Sequence, residues 1–395
     1  MGASISILQL SLSRVGREHS GASRSYGFLG TYPPTPCGIA TFTAALAHEI
    51  SRQPHTAVGV VRVGGSQGGS ANVPVVGELA NGNANSLRGA IDALNRFDVV
   101  IVQHEYGIYG GRDGDEVVAL LEGLSVPSIV VAHTVVDCPT AYQQVVLRAV
   151  ADAASAVVVM TEAARLRLCA RFGVDESKVV MIPHGALVDG GGPREHSTRP
   201  TILSWGLLGP GKGVEWVIDA MAELRDLVPC PHYVIAGRTH PKVFANDGEA
   251  YRSMLTQRAQ AHAVEGLVSF DATYRDRASL ATMIRGADVV VLPYDSHDQV
   301  TSGVLVDAIA AGRPVIATAF PHAVELLSSG AGIVVPHCDP HAIAVAVRRV
   351  LTEPGTATRM SSEARNLAAD LAWPAVADQY ALLAARVCGS VTLAL

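Results

Sequence analysis

Two doubly wound α/β domains facing one cleft are what the order of elements in this chain predicts. Short apolar runs of strand length alternate with helical stretches through both halves. In each half the strands end in polar residues, and an open parallel sheet gathers its ligands at that edge. Between the halves, Asp189 to Pro200 (DGGGPREHSTRP) has the composition of a linker. The 395 residues suffice for two domains of ordinary size, and 49% of them are hydrophobic, which is enough for a large core. The reading divides the chain into a disordered extension (1–24), a first domain (25–190), a second domain (191–370) and a last helical segment (371–395).

Charge and composition narrow the function. A net charge of −6 argues against a general nucleic-acid binder. The cysteines, Cys37, Cys138, Cys169, Cys230, Cys338 and Cys388, are scattered with no C-x-x-C spacing, so they read as reduced thiols of a cytosolic protein. No apolar run approaches the ~18 residues needed to span a bilayer. The opening MGASISILQLSLSRVGREHSG lacks a basic start and a small-residue cleavage site, which disfavours a secretory signal. A disordered extension, or a start codon placed too early, accounts for it better. The expected location is cytoplasmic.

The first half begins with a strand at Tyr26 to Leu29 and runs through a Gly/Pro loop into a helix, Thr41 to Ile50, with Phe42, Leu46 and Ile50 on one face. Gly38 in that loop lets the backbone approach a ligand. After a strand at Val58 to Val63, the stretch Gly64 to Ala84 reads as surface loop. Asp98 to Gln103 is an apolar strand ending in His104 and Glu105, and Ser128 to Ala132 is another, ending in His133 and Thr134. An imidazole in such a place can donate to a hydroxyl or carbonyl, or stabilise charge. Helices are expected over Tyr142 to Ala154 and Ala163 to Phe172, the latter capped by Thr161-Glu162, and strands over Ala156 to Met160 and Val179 to Ile182. Pro183-His184-Gly185 follows.

The second half opens with a strand, Ile202 to Trp205, and then Gly206-Leu207-Leu208-Gly209-Pro210-Gly211-Lys212-Gly213. Gly206 to Lys212 satisfies G-x-x-x-x-G-K, yet the next residue is Gly213 where a P-loop needs Ser or Thr for magnesium. Helices at Val214 to Leu224 and Gly248 to Ala263 flank a strand at His232 to Ala236, which ends near Arg238 and His240. The densest signal is Asp288 to Thr318 (DVVVLPYDSHDQVTSGVLVDAIAAGRPVIAT), read as strand, loop, helix, strand. Its loop delivers Thr301, Ser302 and Gly303 to a helix N-terminus, where free N–H groups and the helix dipole favour an anion. Asp307 lies one turn further in, placed to accept hydrogen bonds from hydroxyls. Phe320-Pro321-His322-Ala323 and Glu325 follow, then a strand at Ile333 to Val335 and a helix from Asp339 to Leu351.

With those residues in place, the stretch from Gln299 to Thr318, ending in Ala311-Gly312-Arg313-Pro314, resembles the nucleotide-sugar signature of retaining glycosyltransferase family 4, of GT-B fold. The likeness covers about Tyr26 to Tyr380, and the Gln-x-Thr-Ser-Gly form looks like a bacterial subgroup. Family members carry an acid at each end of this motif; here the places hold Gln299 and Asp307. They also carry an Arg five residues before the Lys of the Gly-rich loop, and here that place is Leu207. The resemblance implies a metal-independent transfer of a mannose- or glucose-type sugar from a nucleotide-diphosphate sugar to a hydroxyl acceptor. The donor is a co-substrate, with no resident cofactor and no metal ligand. It implies a catalytic set of His133, Lys212 and Gln299. The implied donor site is Gly38, Gly206, Lys212, Arg238, Thr301, Ser302, Gly303, Val304 and Asp307, and the acceptor-side candidates are His104 and Glu105. The last helix is expected to cross back to the first domain. A lipid acceptor would bring peripheral contact with the inner membrane face. A nucleotide-sugar epimerase, or a binding protein that has lost catalysis, stays open as an alternative.

Overall fold

The computed structural model describes residues 23–35, 37–64, 72–188, 198–273 and 275–389. The expected extension lies outside the described residues up to 22, and so do the expected boundary at 190 and most of the linker. The first domain runs β1 (Arg24–Gly30), α1 (Gly38–Ser51), β2 (Thr56–Val63), β3 (Val75–Leu79), α2 (Ala84–Leu94), β4 (Val99–His104), α3 (Glu116–Glu122), β5 (Ser128–Ala132), α4 (Ala141–Ala153), β6 (Ala156–Val159), α5 (Glu162–Phe172) and β7 (Val179–Met181). The second runs β8 (Thr201–Trp205), α6 (Val214–Glu223), β9 (His232–Ala236), α7 (Pro241–Asp247), α8 (Ala250–Ala261), β10 (Val268–Asp271), α9 (Arg277–Gly286), β11 (Val289–Leu292), α10 (Gly303–Ala310), β12 (Val315–Thr318), α11 (Pro321–Leu326), β13 (Gly332–Val335), α12 (Pro340–Thr352) and α13 (Thr356–Leu371). The helix α14 (Trp373–Val387) closes the described chain.

Among the described residues the first domain builds a seven-stranded parallel sheet, order β3-β2-β1-β4-β5-β6-β7, and the second a six-stranded one, order β10-β9-β8-β11-β12-β13. Each strand order reverses beside its first strand, at β1/β4 and at β8/β11. Such a switch point leaves a crevice at the carboxyl edge, where ligands of open α/β sheets sit. Both sheets are covered on both faces, so their central strands are largely apolar, while the edge strands β3 and β10 are not. In β4, Val100 and Val102 enter one core layer while Val99 and Ile101 enter the opposite one.

The stretch expected to be loop between Gly64 and Ala84 contains β3. Its period is masked because it is an edge strand, with Val75 and Val76 exposed and only Leu79 buried. The helix expected over Gly248 to Ala263 starts at Ala250, because Gly248 takes φ of +58° and separates it from α7. Helix α14 packs its Val376, Tyr380 and Leu383 into the first domain's core, beside Phe28, Phe42 and Leu46. At the crossing, Ala186 N donates to Leu371 O at 2.7 Å and Trp373 N to Ala186 O at 3.1 Å.

Candidate functional site

The second-domain half of the cleft is built on close backbone approaches that glycine alone permits. Gly213 caps α6 with φ of +65°, and a Cβ there would lie 1.8 Å from Pro293 O. Gly237 (φ +144°) would likewise meet Gly206 O at 1.8 Å. These contacts draw the loops after β8, β9 and β11 together and explain why Gly213 cannot be the Ser or Thr of a P-loop. They set Lys212 beside Tyr294, with Nζ 4.7 Å from the ring centroid. Among the described residues no carboxylate pairs with Lys212, and burial lowers its pKa. Tyr294 in turn stacks on Phe320, centroids 5.2 Å apart.

Ser302 is the N-cap of α10: its Oγ accepts from Leu305 N at 3.2 Å. Its own N–H is not free, as a bare helix start would leave it. It donates to Nδ1 of the buried His322 at 2.8 Å. Gly303 and Val304 are then the amides left at this end for an anion. Burial holds His322 at a pKa of about 3, so it is neutral, with Nδ1 accepting and Nε2 carrying the proton. Gln299 folds back, Nε2 donating to Thr301 O at 3.1 Å, while Thr301 Oγ1 is buried without a partner among the described residues. Asp307 is half-buried beside Arg277. Burial raises its pKa to about 7, and the guanidinium only partly opposes this. Arg238 stands exposed at the end of β9, its Nε donating to Ala272 O at 3.4 Å. Gly206 lines the same crevice as Lys212.

The first-domain half is centred on the ends of β4 and β5. His133 Nε2 meets Gln103 Oε1 at 2.7 Å, which makes the imidazole the donor and leaves Nδ1 as its acceptor. Phe42 presents an edge to His133 at 4.9 Å. Burial pushes His133 to a pKa of about 3, helped by repulsion from His184 and His104. Gln103 Nε2 is buried with no partner among the described residues. His104, fully buried, lies on the opposite face of the sheet from Gln103, its ring against Tyr106 at 5.3 Å and both nitrogens without a partner among the described residues. Glu105 accepts from Thr134 Oγ1. Gly38 is exposed at the start of α1, whose N-cap Cys37 accepts from Ala40 N. Among the described residues no group of three or more His, Cys, Asp or Glu side chains is placed to hold a metal ion.

Two histidines flank the start of α10 and were passed over as chemistry in the sequence. His184 donates Nδ1–H to Gly185 O at 2.7 Å, and its Nε2 would lie 2.9 Å from a Cβ on Gly303. His184 thus sits against the start of α10, edge-on to Phe42. His322 sits beyond β12 and meets that helix start at Ser302 N. The signal for both was their place three and four residues beyond the ends of β7 and β12, a looser form of the strand-end position that singled out His133 directly after β5.

Two family models match, "Glycosyl transferases group 1" over residues 192–367 and "Glycosyltransferase Family 4" over residues 36–188. The chain is 28% identical over 253 residues to D-inositol 3-phosphate glycosyltransferase of Kineococcus radiotolerans, covering 58% of this chain and 56% of that one. It is 30% identical over 223 residues to alpha-D-kanosaminyltransferase of Streptomyces kanamyceticus, covering 56% and 49%. The chain therefore spans about half the length of the curated relatives it matches. In fold it is similar to Anabaena HepE in complex with UDP, with a TM-score of 0.72, 16% identity and coverage of 92% of this chain and 100% of that chain. Two parallel-sheet domains, a family model on each, and these relatives agree: the chain belongs to the family 4 glycosyltransferases of GT-B fold.

Proposed function

We propose that this protein transfers a sugar from a nucleotide-diphosphate sugar to a hydroxyl acceptor, with retention at the anomeric carbon. One observation carries the reading. Lys212, a cation with no carboxylate partner among the described residues, stands at the β8/β11 switch point, whose loops also bring the amides of Gly303 and Val304. A leaving diphosphate would find there a positive charge and aligned N–H dipoles, in a half-buried place where both act strongly. Asp307 supplies an acceptor for ribose hydroxyls one turn further along α10. His133, neutral and oriented by Gln103, would meet the sugar from the first domain as a hydrogen-bonding group and not as a cation. HepE, a neighbour in fold, was crystallised with UDP and with UDP-glucose. That supports a nucleotide sugar as the donor class, with glucose- or mannose-type sugars the first to try. The acceptor is a hydroxyl of a glycan, glycolipid or small molecule near Glu105; the expected acceptor-side His104 is fully buried and does not reach it.

The test is a panel of UDP-, GDP- and ADP-sugars, read by release of nucleoside diphosphate with and without hydroxyl acceptors, and by the anomeric configuration of the product. Acceptor-dependent release with retention is expected. Isomerised donor without acceptor would make the protein an epimerase. Tight diphosphate binding with no turnover on any acceptor would make it a binding protein.

A further inference from the structure

Helix α11 carries two side chains that reach in opposite directions. His322 accepts the N–H of Ser302, which starts the donor-side helix α10. Glu325, three residues on, reaches the other domain: Oε1 accepts from Glu162 N at 2.9 Å and Oε2 from Ala163 N at 3.1 Å. Those amides open α5 and have no partner within that helix. The N-cap Thr161 accepts from the next amide, Ala164 N, at 3.1 Å, and donates its own hydroxyl to Val300 O at 3.0 Å. The first turn of α5 is therefore satisfied jointly by its own cap and by a carboxylate of the second domain. A negative charge at a helix N-terminus is the favourable sign. Glu162's own carboxylate is held by Arg165 Nε at 2.7 Å.

The donor loop is seated in the same place. Val300 is 3% exposed and packs in the first domain's core layer with Val135 and Leu168. Arg167, one turn and a half into α5, donates from Nη1 to Asp298 O at 3.1 Å and to Val135 O at 3.3 Å. Val135 lies two residues after His133, and Asp298 immediately precedes Gln299. One guanidinium thus ties the loop bearing His133 to the loop bearing Gln299.

We infer that Glu325 and Arg167 are positioning residues which, through α5, lock the donor loop and helix α10 onto the first domain and so assemble the two halves of the site. The inference rests on the transferase reading. It predicts a split between binding and turnover, because Lys212 and α10 hold the diphosphate within the second domain alone, whereas transfer needs His133 from the first.

UDP, GDP and ADP serve as probes, and whichever binds the wild-type chain by calorimetry is carried forward. Glu325→Ala should keep the diphosphate affinity within about threefold and lower transfer turnover about tenfold or more. The amides at the start of α5 should exchange hydrogen faster than in wild type. Glu325→Gln keeps one accepting oxygen and should fall between the two. Arg167→Met should reproduce the split from the other contact, which keeps the test decisive if Glu325→Ala does not fold. Wild-type turnover in both folded variants, or equal losses of affinity and turnover, overturns the inference and leaves the transferase reading standing. A wild-type chain that binds none of the diphosphates and transfers no sugar overturns both.

Discussion

Asp307 is a carboxyl that its surroundings hold near neutral pH, and this has consequences at the scale of one residue. Its folded pKa of about 7 lies above the ordinary carboxylate value, so between those two limits the folded chain holds a proton that the unfolded chain has lost. Stability from this group is intact below the unfolded pKa and falls as pH rises toward 7. Asp307→Asn should therefore raise the melting free energy at pH 8, by roughly 1–3 kcal/mol after allowance for solvent at the half-buried group, and change little at pH 4. A melting series from pH 4 to 8 checks this; equal effects at both ends contradict it. For function the sign reverses. Ribose hydroxyls donate best to the ionised form, so diphosphate affinity should strengthen from pH 6 to 8, and Asp307→Asn should lose the part that exceeds the ligand's own phosphate titration. Isothermal calorimetry across that range separates the two. At Lys212, Lys212→Met removes the charge but keeps the stem over Tyr294, and should cost ~2–4 kcal/mol of transition-state stabilisation. Turnover within threefold of wild type would refute that role.

At the scale of elements, the loop from Gly206 to Gly213 shows why a motif must be read through its backbone. Its sequence invites a nucleotide-triphosphate reading apart from one residue, and Gly213→Ser would complete the pattern. The serine would have to sit at φ of +65° with its Cβ on top of Pro293 O. The expected outcome is a loss of roughly 2–4 kcal/mol in stability, seen as a lowered Tm, with no gain of magnesium-dependent triphosphate binding. The strongly periodic elements were legible because burial on both faces leaves little freedom in composition: β4, β5, β11 and α10 are where the apolar runs put them. The misses have physical causes. Strand β3 is an edge strand with exposed valines, and α13 (TATRMSSEARNLAADL) has too polar a sequence to announce itself. In the site, the places of His133 just after β5 and of Lys212 in the Gly-rich loop after β8 were legible from position, while the roles given to them are proposals. What could not be read is that His322 takes the Ser302 amide, because that bond joins residues twenty apart through two loops.

At the scale of the whole molecule the two domains are not separable pieces. The core layer of the first domain includes Trp373, Val376, Tyr380 and Leu383, which the chain supplies only after the second domain is complete. Trp373 is the hub: its ring lies 5.1 Å from Phe42 and 5.8 Å from His184, and Gly185 leaves room for it, since a Cβ there would meet Trp373 Cε3 at 2.3 Å. The chain crossing at Ala186 and the first domain's core thus share one residue. Trp373→Ala should open a cavity costing ~3–5 kcal/mol, the range for losing a large buried aromatic. The damage should appear in the first domain, where α14 sits, although the residue lies far along the chain. Hydrogen exchange should rise in β1, α1 and the start of α14 more than in β11 or β12. A fragment of residues 24–188 should remain unfolded or molten by near-ultraviolet dichroism, and gain structure when a peptide of residues 372–388 is added. If the fragment alone melts cooperatively with native-like dichroism, the first domain owns a sufficient core, and the crossing helix serves only to orient the domains across the cleft.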